Sequence, residues 1–184
     1  MAPRGIAAAV GSGLDRHVFS RSWRKSLGGI ALAAAFAWSG PALGASSNVR
    51  ISGLTNLAFN TIADLTADTS LAEDVCLFSS SPTNGYRVTA TGSGTGGAFT
   101  LAPPSGTNTL GYEVQWKDQS GQSSGSQLSS GVPLTGQLSS ATQQQCNSGP
   151  AVSASLIVVL RSAALSSASA GSYSGSLTLL IAPE

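Results

Sequence analysis

The chain has 184 residues, of which 41% are hydrophobic and only 9% are charged. This length suits one domain with a substantial core and is short for two. A formal net charge of +1 provides no basic excess for binding nucleic acid. The only histidine is His17, so the rest of the chain has neither the base of a Ser-His-Asp triad nor a histidine metal ligand.

The first 44 residues have the pattern of an export signal. Four basic residues between positions 16 and 25 precede an apolar run at residues 27–38, and small residues follow at 41–44. The run is shorter than the roughly 20 apolar residues needed to span a bilayer, which argues against a membrane anchor. We expect residues 1–44 to be a signal peptide and residues 45–184 to be one exported domain, with no membrane span after cleavage. That domain has four basic and seven acidic residues, a net charge of −3, which disfavours nucleic acid and anionic membranes as partners.

Cys76 and Cys146 are the only cysteines of the chain. Two cysteines in an exported protein usually pair, so we expect a disulfide between them. A metal-binding or redox pair is the alternative, but it lacks the C-x-x-C spacing and the nearby histidines that such sites use.

Beyond the leader, short segments of alternating apolar and polar residues are separated by turn residues roughly every ten positions, which is typical of an all-β sandwich. The first clear segment places Tyr86, Val88 and Ala90 on one face. The glycine-rich residues 91–97 interrupt this strand, and we expect residues 98–101 to return beside it as a hairpin.

The clearest alternation places Leu110, Tyr112, Val114 and Trp116 on one face. Polar residues and a glycine occupy the positions between them. The pattern predicts a strand that buries one face and exposes the other.

The following segments alternate between loops and strands. Residues 119–130 are polar and rich in glycine and serine, which predicts an exposed loop, and residues 134–138 predict a short strand. Residues 143–150 predict a loop held by the disulfide. Residues 154–161 are apolar on both faces, which is typical of a central strand covered on both sides. Residues 163–170 fit either a helical turn or a strand connection.

The last segment places Leu177, Leu179 and Ile181 on one face of a C-terminal strand. No later segment can cover its free edge, so it must pair with an earlier strand or with another molecule. Binding by strand pairing is therefore the leading functional hypothesis.

Three groups of residues are candidates for catalysis or anion binding. Residues 121–125 match G-x-S-x-G, but they lie in the Gly/Ser loop and not in a strand-to-helix elbow. The glycines between positions 92 and 97 are not followed by the helix and lysine of a phosphate site. The close carboxylates, Asp64 with Asp68 and Glu73 with Asp74, are typical of solvated loops. We expect no enzyme activity, cofactor or metal, and a hydrolase is the least supported alternative.

Four aromatic residues are candidates for a carbohydrate-binding surface, because an aromatic ring combines an apolar face with a polar tip. They are Tyr86, Tyr112, Trp116 and Tyr173. Their alternation with polar neighbours favours core packing instead.

Several segments together resemble the spore coat protein U domain, a family that includes the pilus subunits of archaic chaperone–usher systems. They are DVCLF at 74–78, GYRVTATG at 85–92, LGYEV at 110–114 and AGSYSGSLTL at 170–179. The resemblance covers about residues 48–182.

The resemblance implies an immunoglobulin-like sandwich that lacks one strand, as in pilins. It implies passage through the periplasm with a fimbrial chaperone, assembly by an outer-membrane usher, and a place among neighbouring pilus subunits in a surface fibre. A neighbour's N-terminal strand would complete the sandwich. Val49 and Ile51 are then the candidates for the donated strand, and Leu177, Leu179 and Ile181 lie beside the acceptor groove.

Three features differ from the family pattern. The segment at 57–61 is similar to the family's Leu-x-Phe-Gly-x motif, with Asn60 in place of glycine, and the family's first cysteine is missing. The apolar alternation of the donor segment ends after Ile51, so the chain suits accepting a strand better than giving one, as in a tip or minor subunit. A self-complete secreted sandwich that binds carbohydrate or a surface partner is the alternative function.

Overall fold

The computed structural model describes Ala7–Ala9 and residues 47–184. The rest of the predicted signal peptide and its cleavage site lie outside the described residues. Nearly all regular secondary structure of the described chain is β-strand, which confirms the predicted all-β fold. The strands are β1 (Ala7–Ala9), β2 (Val49–Ser52), β3 (Thr69–Ser79), β4 (Gly85–Gly92), β5 (Thr100–Leu101), β6 (Leu110–Gly111), β7 (Glu113–Lys117), β8 (Ser126–Gln127), β9 (Leu134–Leu138), β10 (Ala154–Leu160) and β11 (Ser176–Pro183), with one helix, α1 (Ser162–Ser167), and a 3₁₀ turn at Thr95–Gly97.

Two larger sheets form a sandwich. One has the strand order β1-β11-β4-β9 and the other has the order β2-β3-β10-β7-β8. Each sheet contributes inward side chains to one shared apolar core. The predicted sandwich is therefore confirmed, and its two layers are held together by burial of apolar surface.

The five-stranded sheet is built around β10, which pairs antiparallel with β3 on one side and with β7 on the other. All seven residues of β10 are buried. This confirms the central strand predicted for residues 154–161, because a strand covered on both faces tolerates an uninterrupted apolar sequence.

The two sheets also contact each other through a polar bond inside the core. The indole nitrogen of Trp116 on β7 donates a hydrogen bond of 3.0 Å to the hydroxyl of Tyr86 on β4. The two rings meet edge to face, with centroids 6.4 Å apart, a geometry that aromatic pairs favour. Both residues are fully buried, so the bond satisfies two polar groups that water cannot reach.

The third sheet corrects one sequence prediction. The segment at 98–101 does not return beside β4; its strand β5 pairs with β6 instead, in the register Leu101 to Leu110. The glycines after β4 reverse the chain locally, and Gly94 donates its amide to Ala98. Both sides of β4 are already taken by β11 and β9, so β5 has no edge of β4 available.

The predicted disulfide is confirmed, between Cys76 on β3 and Cys146 in the loop that follows β9. With Phe78 and Ala141 it forms a small apolar cluster outside the main core. The disulfide thus ties the chain beyond β9 to the five-stranded sheet. The sequence of residues 163–170 fitted either a helical turn or a strand connection. In the structure, residues 163–167 belong to the helix α1.

Candidate functional site: the outer edge of the last strand

The last strand, β11, pairs antiparallel with β4 along a continuous register from Leu177 to Pro183. Leu177 and Leu179 are fully buried in the core, and Ile181 packs partly buried against it. Leu180, which lies between Leu179 and Ile181, faces outward with 55% of its surface exposed. The predicted face is therefore the inner face of a regular strand.

The amide directions of β11 identify which groups its outer edge presents. The N–H of Ser176 donates to the Ser93 hydroxyl, and the N–H of Glu184 donates to the Gly85 carbonyl, so both point towards β4. Amides alternate in direction along a strand, so the intervening odd-numbered residues direct their N–H and C=O groups to the other side. The outer edge thus presents the backbone groups of Leu177, Leu179 and Ile181.

Pro183 ends this row of donors. It occupies the next odd-numbered position, where an N–H would point outward, and proline has none. Prolines are a common means of limiting strand addition at a sheet edge. The outer edge of β11 therefore offers three consecutive outward-facing residues and then stops.

The outer edge is occupied only at its beginning. The strand β1 pairs with it in parallel, with Ala7 opposite Ser176, Ala8 opposite Leu177 and Ala9 opposite Thr178. Because Ala9 lies opposite Thr178, its carbonyl faces the Leu179 amide. Among the described residues, the Leu179 carbonyl and both backbone groups of Ile181 on this edge have no strand partner.

The opposite end of the same sheet is protected. The register between β4 and β9 shifts between Tyr86 and Val88, which marks a bulge, and Gly136 has a positive φ of 72°. The amide of Gly136 donates to the Glu184 carboxylate, and that of Leu138 donates to the Asp118 carboxylate. A bulge with amides already bonded to carboxylates is a poor template for another strand.

The edges of the five-stranded sheet are short. The strand β8 has two residues, both exposed, and β2 has four, of which Arg50 is exposed. Among the described residues, the outer edge of β3 is also uncovered from Thr69 to Val75, because β2 pairs only with Cys76–Ser79. The inner face of that part of β3 includes the polar residues Thr69 and Glu73, whereas the inner face of β11 is apolar.

The proposed donor residues lie in β2, within the chain's own sheet. Val49 pairs opposite Ser79 and Ile51 opposite Leu77 on β3, and both pack partly buried against the core. The Ser79 hydroxyl donates to Gly85, whose carbonyl also receives the Glu184 amide. The N-terminal end of β2 therefore lies near the C-terminal end of β11, whereas β1 pairs with the opposite end.

An apolar cavity of about 650 Å³ lies near the start of β11. The segment 57–65, the end of β10 and the segment 168–173 form its walls. Leu65 is 41% exposed there, whereas Leu160 and Leu165 are buried beneath. The apolar lining comprises Leu57, Phe59, Ile62, Leu65, Leu101, Leu110, Leu160, Leu165 and Tyr173.

Acidic residues fix both ends of the segment that walls this cavity. Glu73 accepts hydrogen bonds from the amide and hydroxyl of Thr55. Asp68 accepts from the amide of Ser162 and from Arg161, and these bonds, in that order, hold the pKa of Asp68 below its ordinary value. Arg161 also donates to Glu113, and this bond, followed by that to Asp68, raises its pKa. The ion pairs are exposed, so they position the loop more than they stabilise the fold.

The remaining two carboxylates that were candidates for acid–base chemistry also have structural partners. Asp64 accepts bonds from the hydroxyl and amide of Thr66, which lower its pKa. Asp74 accepts from the Ser155 hydroxyl and the Gly121 amide, and thereby ties the Gly/Ser loop to β10. That loop is largely exposed as predicted, with β8 inside it.

The candidate sugar-binding aromatics are mostly in the core. Tyr86, Tyr112 and Trp116 are buried, as predicted. The Tyr112 hydroxyl has no hydrogen-bond partner in the described chain, and burial raises its pKa to about 12. Tyr173 is half-buried at the cavity wall, where its hydroxyl donates to the Ser169 carbonyl. No flat aromatic surface is formed by these four rings.

Within residues 7–9 and 47–184, no three acidic, cysteine or histidine side chains converge as metal ligands would. In the same part of the chain, no helix has the length and apolar character needed to cross a membrane.

Sequence reasoning missed two parts of this site. The cavity wall at 57–65 has no periodic pattern, so its packing could not be read from the sequence. Pro183 was visible, but its significance depends on the amide direction, which only the pairing with β4 reveals. The signal that could have found it is the odd-numbered spacing from Leu177.

Comparison with known proteins adds no family to this description. No protein-family model matches the chain, and no curated protein is significantly similar to it. The resemblance to the spore coat protein U domain therefore stays a prediction.

Proposed function

We propose that this chain is an exported subunit of a surface fibre that accepts a β-strand from a neighbouring molecule. The observation that carries the proposal is the outer edge of β11, where the Leu179 carbonyl and both backbone groups of Ile181 point away from β4 and have no strand partner among the described residues. Main-chain hydrogen bonds along this edge would provide affinity, and the inward apolar face would fix the register.

The partners follow from the proposal. An exposed strand edge beside an apolar core promotes aggregation, so such a subunit needs a periplasmic fimbrial chaperone to cover the edge during transit. The outer-membrane usher and the neighbouring pilus subunits would then replace that chaperone. The disulfide is consistent with an oxidising compartment on this route.

The chain is better suited to accept a strand than to donate one. Val49 and Ile51 already pair with β3 and contact the core. Using them as a donor strand would require β2 to leave its own sheet and would expose apolar surface. We therefore assign the chain to a terminal or minor position in the fibre.

Carbohydrate binding, the alternative from the sequence, gains no support from the aromatic side chains. Three of the four candidate rings are buried and serve the core. Tyr173 remains, but its hydroxyl is bonded within its own loop.

A single backbone donor tests the acceptor role. Ile181→Pro removes an outward N–H without removing a bond to β4, and Pro183 shows that β11 accommodates proline at this parity. Ile181→Val keeps the N–H and is the matched control, since this change removes one methylene and typically costs 0.5–1.5 kcal/mol, about 1 kcal/mol.

Each variant is exported with and without a co-expressed fimbrial chaperone, and complex formation is measured by size-exclusion chromatography. We expect the wild type and Ile181→Val to form a one-to-one complex with the chaperone and to aggregate without it. Ile181→Pro should lose about tenfold in complex yield, because the edge is interrupted. A wild-type protein that stays a stable monomer and does not bind the chaperone would contradict the proposed function.

A further inference from the structure

The apolar cavity near the start of β11 has no part in strand pairing. Leu177, Leu179 and Ile181, which present the outer edge of β11, are not among the described residues that line it. Its volume of about 650 Å³ lies within the range of roughly 300–1,000 Å³ that is usual for small-molecule pockets. The cavity is therefore large enough for a small ligand and is separate from the pairing groups of the strand.

The lining of the cavity favours a neutral, apolar ligand. Leu160 and Leu165 form its floor and are 1% and 4% exposed. None of the described lining residues carries a charge. A charged group that entered this space would lose its hydration without gaining an ionic partner, which is costly. An aliphatic chain would instead bury apolar surface against the leucines.

The charged groups near the cavity also disfavour an anionic ligand. Arg161 follows the floor residue Leu160 in the chain, and it donates hydrogen bonds to both Asp68 and Glu113. Two carboxylates thus surround one guanidinium, so this cluster has a net charge of −1 and repels a carboxylate or phosphate head group. The polar groups at the cavity mouth are neutral: Asn60, Thr61 and Ser172 line it and are exposed.

Hydrogen bonds hold the wall of the cavity in place before any ligand binds. The Tyr173 hydroxyl donates to the Ser169 carbonyl at 2.9 Å, and the Asn108 side-chain amide donates to the Ser169 hydroxyl at 2.8 Å. These bonds tie the segment 168–173 to itself and to the chain before β6. A ligand therefore enters a wall that is already ordered, which favours binding.

We propose that this cavity is a binding site for a neutral aliphatic molecule with one polar end, such as a medium-chain alcohol. The aliphatic chain lies against the leucine floor, and the hydroxyl reaches the polar residues at the mouth. This binding does not depend on the strand-accepting function, since the two sites use different residues.

Two substitutions, each with a matched control, change the cavity. Ala168→Trp places a large ring at a lining residue that packs against the core, and Ala163→Trp makes the same change at an exposed residue of α1 that does not line the cavity. Leu65→Gln removes apolar contact at the cavity wall, whereas Leu138→Gln alters a similarly exposed leucine on β9.

Isothermal titration calorimetry measures the binding of 1-octanol and of octanoate to the full-length chain, with all variants prepared in the same form. We expect Ala168→Trp to bind 1-octanol at least tenfold more weakly than the wild type and Leu65→Gln to bind it roughly fivefold more weakly, with both controls unchanged. Octanoate should bind the wild type at least tenfold more weakly than 1-octanol does. Circular dichroism verifies that each variant is folded, and Leu65→Gln provides the test if Ala168→Trp does not fold.

Several results would overturn the site. These are no binding of 1-octanol to the wild type, equal affinities of each cavity variant and its control, or octanoate binding as tight as that of 1-octanol. A synthetic peptide with the sequence of residues 45–54 separates the cavity from the strand edge. Unchanged octanol affinity in the presence of bound peptide would support a separate site, whereas displacement of octanol by the peptide would overturn it. Octanol binding without any peptide binding would support the cavity site and count against the strand-accepting function.

Discussion

The strands β9 and β11 lie on opposite sides of β4 in the same sheet, yet they differ in how they meet further strands. A bulge interrupts β9, and carboxylates bond the amides of Gly136 and Leu138. In contrast, β11 is regular, and its outward amide at Ile181 has no strand partner among the described residues. The difference teaches that this fold protects one end of the sheet and leaves the other available, as a strand acceptor requires.

Loss of the disulfide should have the largest effect on the free energy of unfolding, because this bond ties down the chain that follows β9. Cys146 follows β9, and its bond to Cys76 closes a separation of 70 residues. Cys76→Ser, Cys146→Ser and the double variant should each lower the free energy of unfolding by about 4 kcal/mol in the chain-entropy model. Denaturant unfolding under oxidising conditions measures this change.

Comparing the stability of the two single variants with that of the double variant tests whether both cysteines act through one bond. A double variant much less stable than either single variant would show that the cysteines act separately. Hydrogen exchange should increase mainly in β9 and the following loop, whereas the β4–β11 ladder should change little, because no covalent bond ties β11.

A substitution at Tyr86 tests the contribution of β4, the strand that lies between β9 and β11. Tyr86→Phe removes the acceptor of the Trp116 indole hydrogen and leaves a buried donor without a partner. We expect a loss of about 1–3 kcal/mol in unfolding free energy. Both flanking ladders should weaken together, since β4 pairs with each of them.

Tyr112→Phe is the matched control for this change. It removes a buried hydroxyl that has no partner in the described chain, so we expect the unfolding free energy to change by no more than about 0.5 kcal/mol. If both variants lost the same stability, the hydrogen bond between the sheets would not be the cause.

The sequence predicted the strands whose side-chain pattern depends on burial. The alternation at 110–116 and the apolar run at 154–161 follow directly from one or two covered faces. The inward face of β11 was predicted for the same reason. Period-two patterns and the continuous apolar run therefore identified β4, β7, β10 and β11. They did not identify β3, although its Val75 and Leu77 lie in the core.

Partner choice could not be predicted in the same way. The glycine-rich chain after β4 indicates a reversal but does not specify whether β5 returns to β4 or pairs with β6. The alanines of β1 have low strand propensity and lie in a predicted signal peptide, so their pairing with β11 had no sequence signal. The outward direction of Leu179 and Ile181 likewise depends on the strand that occupies their other side.

Pro183 gives a small expected effect and the sharpest contrast between the two edges. Pro183→Ala restores an outward N–H and extends the acceptor edge of β11 by one position. One additional hydrogen bond contributes about 0.5–1.5 kcal/mol, so the peptide of residues 45–54 should bind about two- to tenfold more tightly. Pro133→Ala makes the same change beside β9, where the bulge and the bonded amides should keep the affinity unchanged. Titration of the full-length variants with the peptide measures both effects, and an equal gain from the two substitutions would mean that the edges of β9 and β11 do not differ in their capacity to accept a strand.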